Sequence, residues 1–163
     1  MANGNPPMTN VKVEVRGRST AIPRALYTVA KDSAGYPRWS QIGSFEHLCS
    51  GAGERFGVGS RRIFRTWPLE LVEEVVELIA DRRVSYILHS GLPFRDYRSS
   101  IEFAPVPGGS TSIHWHSSFY PTIPGTAVLC RAFMHGVLAK MVPALAAEAE
   151  RLESRPGFVT AHG

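Results

Sequence analysis

The chain has 163 residues, 44% of them apolar and 20% charged, which excludes wholesale disorder and leaves little room for a second domain. Eighteen Lys and Arg stand against fourteen Asp and Glu; the basic residues alternate with apolar ones and form no block, so no nucleic-acid partner is expected. Cys49 and Cys130, the two cysteines, build no disulfide framework, and the expected setting is reducing and cytoplasmic.

Residues 1–10 contain Asn-Gly-Asn-Pro-Pro and read as a flexible leader with no signal peptide. Val11, Val13 and Val15 then alternate with charged residues, the period of a half-buried strand. Ser19 and Thr20 before Pro23 suggest a cap and an early helical proline. Ile22, Leu26, Val29 and Ala30 follow at helical spacing. Asp32 to Gly35 ends that helix, and Pro37-Arg38-Trp39 predicts a very short second one. The glycine-rich stretch 50–60 superficially resembles a phosphate loop. Ile63, Arg65 and Trp67 continue it with strand alternation instead, so a hairpin connection is the better reading. Leu69 to Ala80 fits a helix or a strand by periodicity alone.

Asp81-Arg82-Arg83 predicts a turn. Val84, Tyr86 and Leu88 resume a period of two, as do Tyr97, Ser99, Ile101 and Phe103. After the turn signal Pro107-Gly108-Gly109-Ser110, the next strand carries Ile113, Trp115, Ser117 and Phe119. Strands joined by such short turns predict an antiparallel meander. From Thr126 to Glu153 the apolar residues mark a long amphipathic helix in which Pro143 predicts a kink. No run of eighteen consecutive apolar residues occurs, so no transmembrane segment is expected. Residues 154–163 read as a loose tail.

Four local patterns, in this order, carry a family resemblance. They are Pro23 to Asp32 followed by Tyr36-Pro37-Arg38-Trp39; Val58-Gly59-Ser60-Arg61-Arg62; Val75 to Tyr86 with Asp81-Arg82-Arg83 inside it; and Gly108-Gly109-Ser110-Thr111 followed by Trp115. Together they resemble the START-like (SRPBCC) superfamily, within it the polyketide cyclase/dehydrase and lipid-transport group. The resemblance implies one domain over 11–153 with an α+β helix-grip fold. In that fold a curved antiparallel sheet wraps a long C-terminal helix, and two short helices follow the first strand. It also implies that Leu69 to Ala80 is a strand, and that a cavity for a hydrophobic or amphipathic molecule lies between sheet and helix.

Alternation nominates the wall of such a cavity. Tyr86, Leu88, Tyr97, Phe103, Trp115 and Phe119 are expected to face inward, with Ile63 beside them and Trp39 at the corner. Phe133, Met134, Val137 and Met141 oppose them from the helix. The same residues also suit an ordinary packed core, and a buried Tyr or Trp needs a polar partner that ligand or water can supply.

His114 and His116 share one side of a strand, with His89 or Glu102 as a third metal ligand. Trp115 claims the concave side, however, which sends the histidines outward; no metal is expected. Either Glu74 or the pair Glu73 and Glu77 must face inward, and Arg65 suits a cavity mouth. Arg65, Glu74, Tyr86 and Tyr97 are therefore the candidates for acid–base or anion-binding roles. The leading expectation is a binding protein or carrier for a hydrophobic small molecule or lipid, as a monomer or homodimer and without a cofactor. The alternatives are a cofactor-independent polyketide cyclase/dehydratase and a protein-interaction module of the same fold.

Overall fold

The computed structural model describes residues 8–158. Residues 1–7 of the expected leader and 159–163 of the expected tail lie outside the described residues. In chain order the elements are β1 (Val11–Ser19), α1 (Pro23–Lys31), a 3₁₀ turn (Ser33–Gly35), α2 (Tyr36–Trp39), β2 (Ser44–Cys49) and β3 (Arg61–Thr66). There follow β4 (Leu69–Ile79), β5 (Arg83–Ser90), β6 (Phe94–Val106), β7 (Ser110–Pro121) and α3 (Ala127–Glu153). The seven strands form one antiparallel sheet in the order β1-β7-β6-β5-β4-β3-β2. Leu69–Ile79 is thus a strand, the choice its β-branched run leaves open and strand pairing decides. β2 is absent from the sequence reading because its alternation is poor: only Phe45 and His47 are half-buried, and the rest is exposed.

The sheet curves around α3, whose buried residues Met134, Leu138, Met141, Val142, Leu145 and Ala149 form the central ridge of the core. Against β1 the approach is close. A Cβ built on Gly17 would stand 2.5 Å from Val142 Cγ1, so the missing side chain sets the depth at which the helix seats. At its far end α3 is tied to the start of α1. Glu150 Oε1 accepts from the Ser19 hydroxyl at 2.8 Å and the Thr20 amide at 3.0 Å, and Glu153 Oε2 accepts from the Ile22 amide at 3.1 Å.

This corrects the expected cap. Ile22 is the residue at the N-cap of α1, and Ser19 and Thr20 serve the interhelix tie instead. α3 is one helix from Ala127 to Glu153 with Pro143 inside it. The proline lies on the exposed side, where water can satisfy the carbonyl it leaves without a donor. By length and composition α3 is the one helix among the described residues apolar enough to cross a membrane. A search for unbroken apolar runs misses it because Arg131, His135 and Lys140 interrupt the run.

Candidate functional site

The sheet and α3 part at one end to leave a cavity of about 250 Å³. The sheet contributes Phe64 and Thr66 from β3, Leu71 and Glu73 from β4, Tyr86 and Leu88 from β5, Tyr97 from β6 and Trp115 from β7. Across from them lie Phe133, Met134, Val137, Leu138 and Met141 of α3. Tyr36, Gln41, Ile42, Leu69 and Leu92 close the sides. Of the apolar lining residues, Phe133 is solvent-exposed.

Eight of the expected wall residues line this space: Tyr86, Leu88, Tyr97, Trp115, Phe133, Met134, Val137 and Met141. Four others do not. Phe119 and Phe103 face inward but are covered. Phe119 stacks on Phe94 at 3.9 Å and on Tyr97 at 5.9 Å, while Phe103 is buried on β6, the strand against which α1 packs. Trp39 lies against Tyr36, ring centroids 4.7 Å apart, outside the wall. Ile63 has the wrong parity: its neighbours Arg62 and Phe64 turn inward, so Ile63 is on the convex face opposite Val72. Because Ile63 is also buried, apolar character alone cannot distinguish the two faces of β3.

The same parity removes two of the acid–base candidates. Arg65 is on the outer surface, held between Glu46 and Glu70 at 2.7 Å each. Glu74 is also outside, 3.0 Å from Arg61 Nε and 2.7 Å from His89 Nε2. The inward carboxylate is Glu73, and Glu77 does not accompany it. A register shift between Val75 and Glu77 adds one residue to the strand and reverses its facing, which breaks period two. Glu77 therefore lies outside with Arg83 and Ser85.

Glu73 is matched by Arg62. Both are buried. Arg62 Nε donates to Glu73 Oε2 at 3.1 Å, with Nη2 3.0 Å from the same oxygen, and Nη1 donates to the Ser33 hydroxyl at 2.6 Å. The guanidinium is enclosed by the rings of Phe64, Tyr86 and Tyr36 at 4.7, 5.1 and 5.4 Å. The Glu73 side chain forms part of the cavity wall. Burial pushes the Glu73 carboxyl above the usual carboxylate range, against the opposing pull of Arg62. The signal in the sequence was Arg62 and Phe64 sharing a parity, with Glu73 opposite Arg62 in the hairpin register.

Two sequence-nominated tyrosines, Tyr86 and Tyr97, do line the cavity, but their hydroxyls are engaged. Trp115 Nε1 donates to Ser99 Oγ at 3.0 Å and to Tyr86 Oη at 3.3 Å, and Tyr97 Oη lies 3.2 Å from Ser117 Oγ. The buried indole thus finds its partners within the protein. Burial pushes the Tyr97 phenol up to about 12 and the Tyr86 phenol well above its usual range, so both stay protonated at neutral pH. Cys130 is half-buried on α3 with its thiol 3.6 Å from the Thr126 hydroxyl, and Cys49 is exposed at the end of β2. His114 and His116 lie on the outer face of β7 beside Glu102.

A seven-stranded antiparallel sheet gripping one long C-terminal helix, with two short helices after the first strand and an apolar space between, is the helix-grip architecture of START-like proteins. Residues 10–154 match the family model for polyketide cyclase / dehydrase and lipid transport, and the chain belongs to that family. Among solved structures, a START superfamily protein from Mycobacterium smegmatis is 15% identical with a TM-score of 0.75, over 86% of this chain and 98% of that one. Norcoclaurine synthase from Thalictrum flavum, solved with dopamine and hydroxybenzaldehyde, is 15% identical with a TM-score of 0.72, over 95% and 96%. A protein from Thermobifida fusca is 24% identical with a TM-score of 0.71, over 87% and 95%. At these identities the likeness is one of fold. Compared with curated protein sequences, the chain matches none.

Proposed function

We propose that the protein binds and carries a hydrophobic or amphipathic small molecule, lipid- or polyketide-like, in the cavity between sheet and α3. The observation that carries this reading is the make-up of the wall. Leu, Met, Phe and Val side chains surround most of the space, the polar atoms of Tyr36, Tyr86, Tyr97 and Trp115 are hydrogen-bonded within the protein, and Glu73 is the one carboxylate in the lining. An apolar body with a single donor, a hydroxyl or an amine, complements that wall. Norcoclaurine synthase, of the same fold, is solved with two small aromatic molecules that carry hydroxyl or amine donors, dopamine and hydroxybenzaldehyde. The free thiols of Cys49 and Cys130 suit a reducing compartment, so we place the protein in the cytoplasm.

A second reading, cofactor-independent cyclisation or dehydration, rests on the same Glu73. A carboxyl whose proton affinity is raised by burial can exchange a proton with a bound substrate. The carrier reading is preferred because the other candidates for proton transfer are engaged or elsewhere: the Tyr36, Tyr86 and Tyr97 hydroxyls are hydrogen-bonded within the protein, and Arg65 and Glu74 lie outside.

The test is binding of an apolar fluorescent probe to wild type and to Val137→Phe. A cavity of roughly 150 Å³ accepts a benzene ring, so a phenyl group fits inside this one and takes space from a probe. Displacing three or four methylenes of a probe at about 0.8 kcal/mol each weakens binding by roughly 100-fold. Stability should change by less than about 1 kcal/mol, because the ring enters open space. A loss of about 1–3 kcal/mol, the cost of overfilling a packed core, with no probe bound by wild type, would refute both readings.

A further inference from the structure

Outside the cavity, on the convex face of the sheet, the structure brings together a second group of side chains that the binding site does not use. His114 and His116 are two residues apart on β7 and share its outer side, ring centroids 4.7 Å apart. Across the β6–β7 register His114 stands opposite Glu102, and across the β1–β7 register His116 stands opposite Glu14. Glu102 Oε2 lies 3.3 Å from His114 Nδ1 and 3.3 Å from His116 Nε2, and one ligand atom from each of the three residues lies within 4.8 Å of the others.

Against the expectation of no metal, we propose that Glu102, His114 and His116 form a zinc site on the outer face of the sheet. Three features fit that assignment. Two imidazoles and one carboxylate are a donor set that zinc accepts, and tetrahedral bonds of about 2.0–2.1 Å put neighbouring donors about 3.3–3.4 Å apart. The two separations from Glu102 Oε2, 3.3 Å each, match that edge.

The remaining nitrogen of His114, Nε2, lies 2.7 Å from Glu14 Oε2. With zinc on Nδ1, the proton must reside on Nε2, and Glu14 is placed to accept it. That is the carboxylate–histidine–metal relay which fixes a ligand's tautomer and raises its basicity. Glu102 is oriented in turn: Arg83 contacts its Oε1, leaving Oε2 for the two histidines. The ion would join β6 to β7 and, through Glu14, draw in β1. A fourth position stays open toward solvent beside His116, which is 40% exposed.

The experiment is zinc titration of the tag-free full chain, previously stripped with a chelator, by calorimetry. One zinc per chain is expected. His116→Ala should lower the affinity at least 100-fold, and Glu14→Gln, which leaves all three ligands, by about 10–100-fold. His135→Ala, on α3, should leave it unchanged. Because a variant can fail for lack of folding, the imidazole resonances of wild type are followed in parallel. Zinc should move those of His114 and His116 and leave those of His47, His89 and His135 in place. Absence of saturable binding, binding indifferent to His116→Ala, or shifts confined to the other histidines would each overturn the assignment.

Discussion

Glu73→Ala leaves Arg62, which is 2% exposed, with no carboxylate within ion-pair distance among the described residues. Removing one partner of a buried pair costs about 3–5 kcal/mol, since the surviving charge stays desolvated. Here the lower end applies. The Ser33 hydroxyl and the rings of Phe64, Tyr86 and Tyr36 remain around the guanidinium, and the adjoining cavity admits water in place of the lost carboxylate. In urea denaturation a loss of about 3 kcal/mol, at a slope of about 2 kcal/mol/M, moves the midpoint down by about 1.5 M. The double variant Arg62→Met/Glu73→Leu should recover most of that loss, because it removes both desolvated charges and retains volume. A single variant costing under about 1 kcal/mol, or a double variant as unstable as the single, would refute the claim that the pair is buried and mutually dependent.

Stability should also respond to acid through Glu150, whose carboxyl the Thr20 amide and the Ser19 hydroxyl hold below the usual carboxylate range. A lowered folded value means that this contribution is whole above the ordinary value of 4.5 and is lost as pH falls through the folded one. Glu150→Gln should therefore cost about 1 kcal/mol at neutral pH and flatten the acid limb of a stability–pH curve; an unchanged limb would count against the tie. Gly17→Ala should cost about 1–3 kcal/mol by chemical denaturation, because the new Cβ meets the stiff Val142 side chain. A neutral result would mean that α3 does not seat on β1 as closely as described.

Much of the architecture is legible in local sequence. Val11-Val13-Val15, Tyr97 to Phe103 and Ile113 to Phe119 each announce a strand because one face is buried and the other wet, so that period two is written in the residues. The turn at Gly108-Gly109 and the helix from Ala127 are equally local: positive φ selects glycine at both positions, and α3 is long. The inner face of the central strands is legible for the same reason, which is why Tyr86, Tyr97 and Trp115 could be named as wall residues.

What only the tertiary structure decided lies where pattern and pairing part company. β3 and β4 carry charged and apolar residues on both faces, so the choice between Arg62 with Phe64 and Ile63 with Arg65 depended on which side α3 covers. The bulge beyond Val75 then separated Glu73 from Glu77, since a register shift is a property of two paired strands and leaves no trace in one of them. Phe103 and Phe119 read as wall residues by parity and became core, because the neighbours that cover them come from distant parts of the chain. Alternation tells a side chain which face it takes; whether it meets another side chain or an empty space there is set by the shape of what packs opposite.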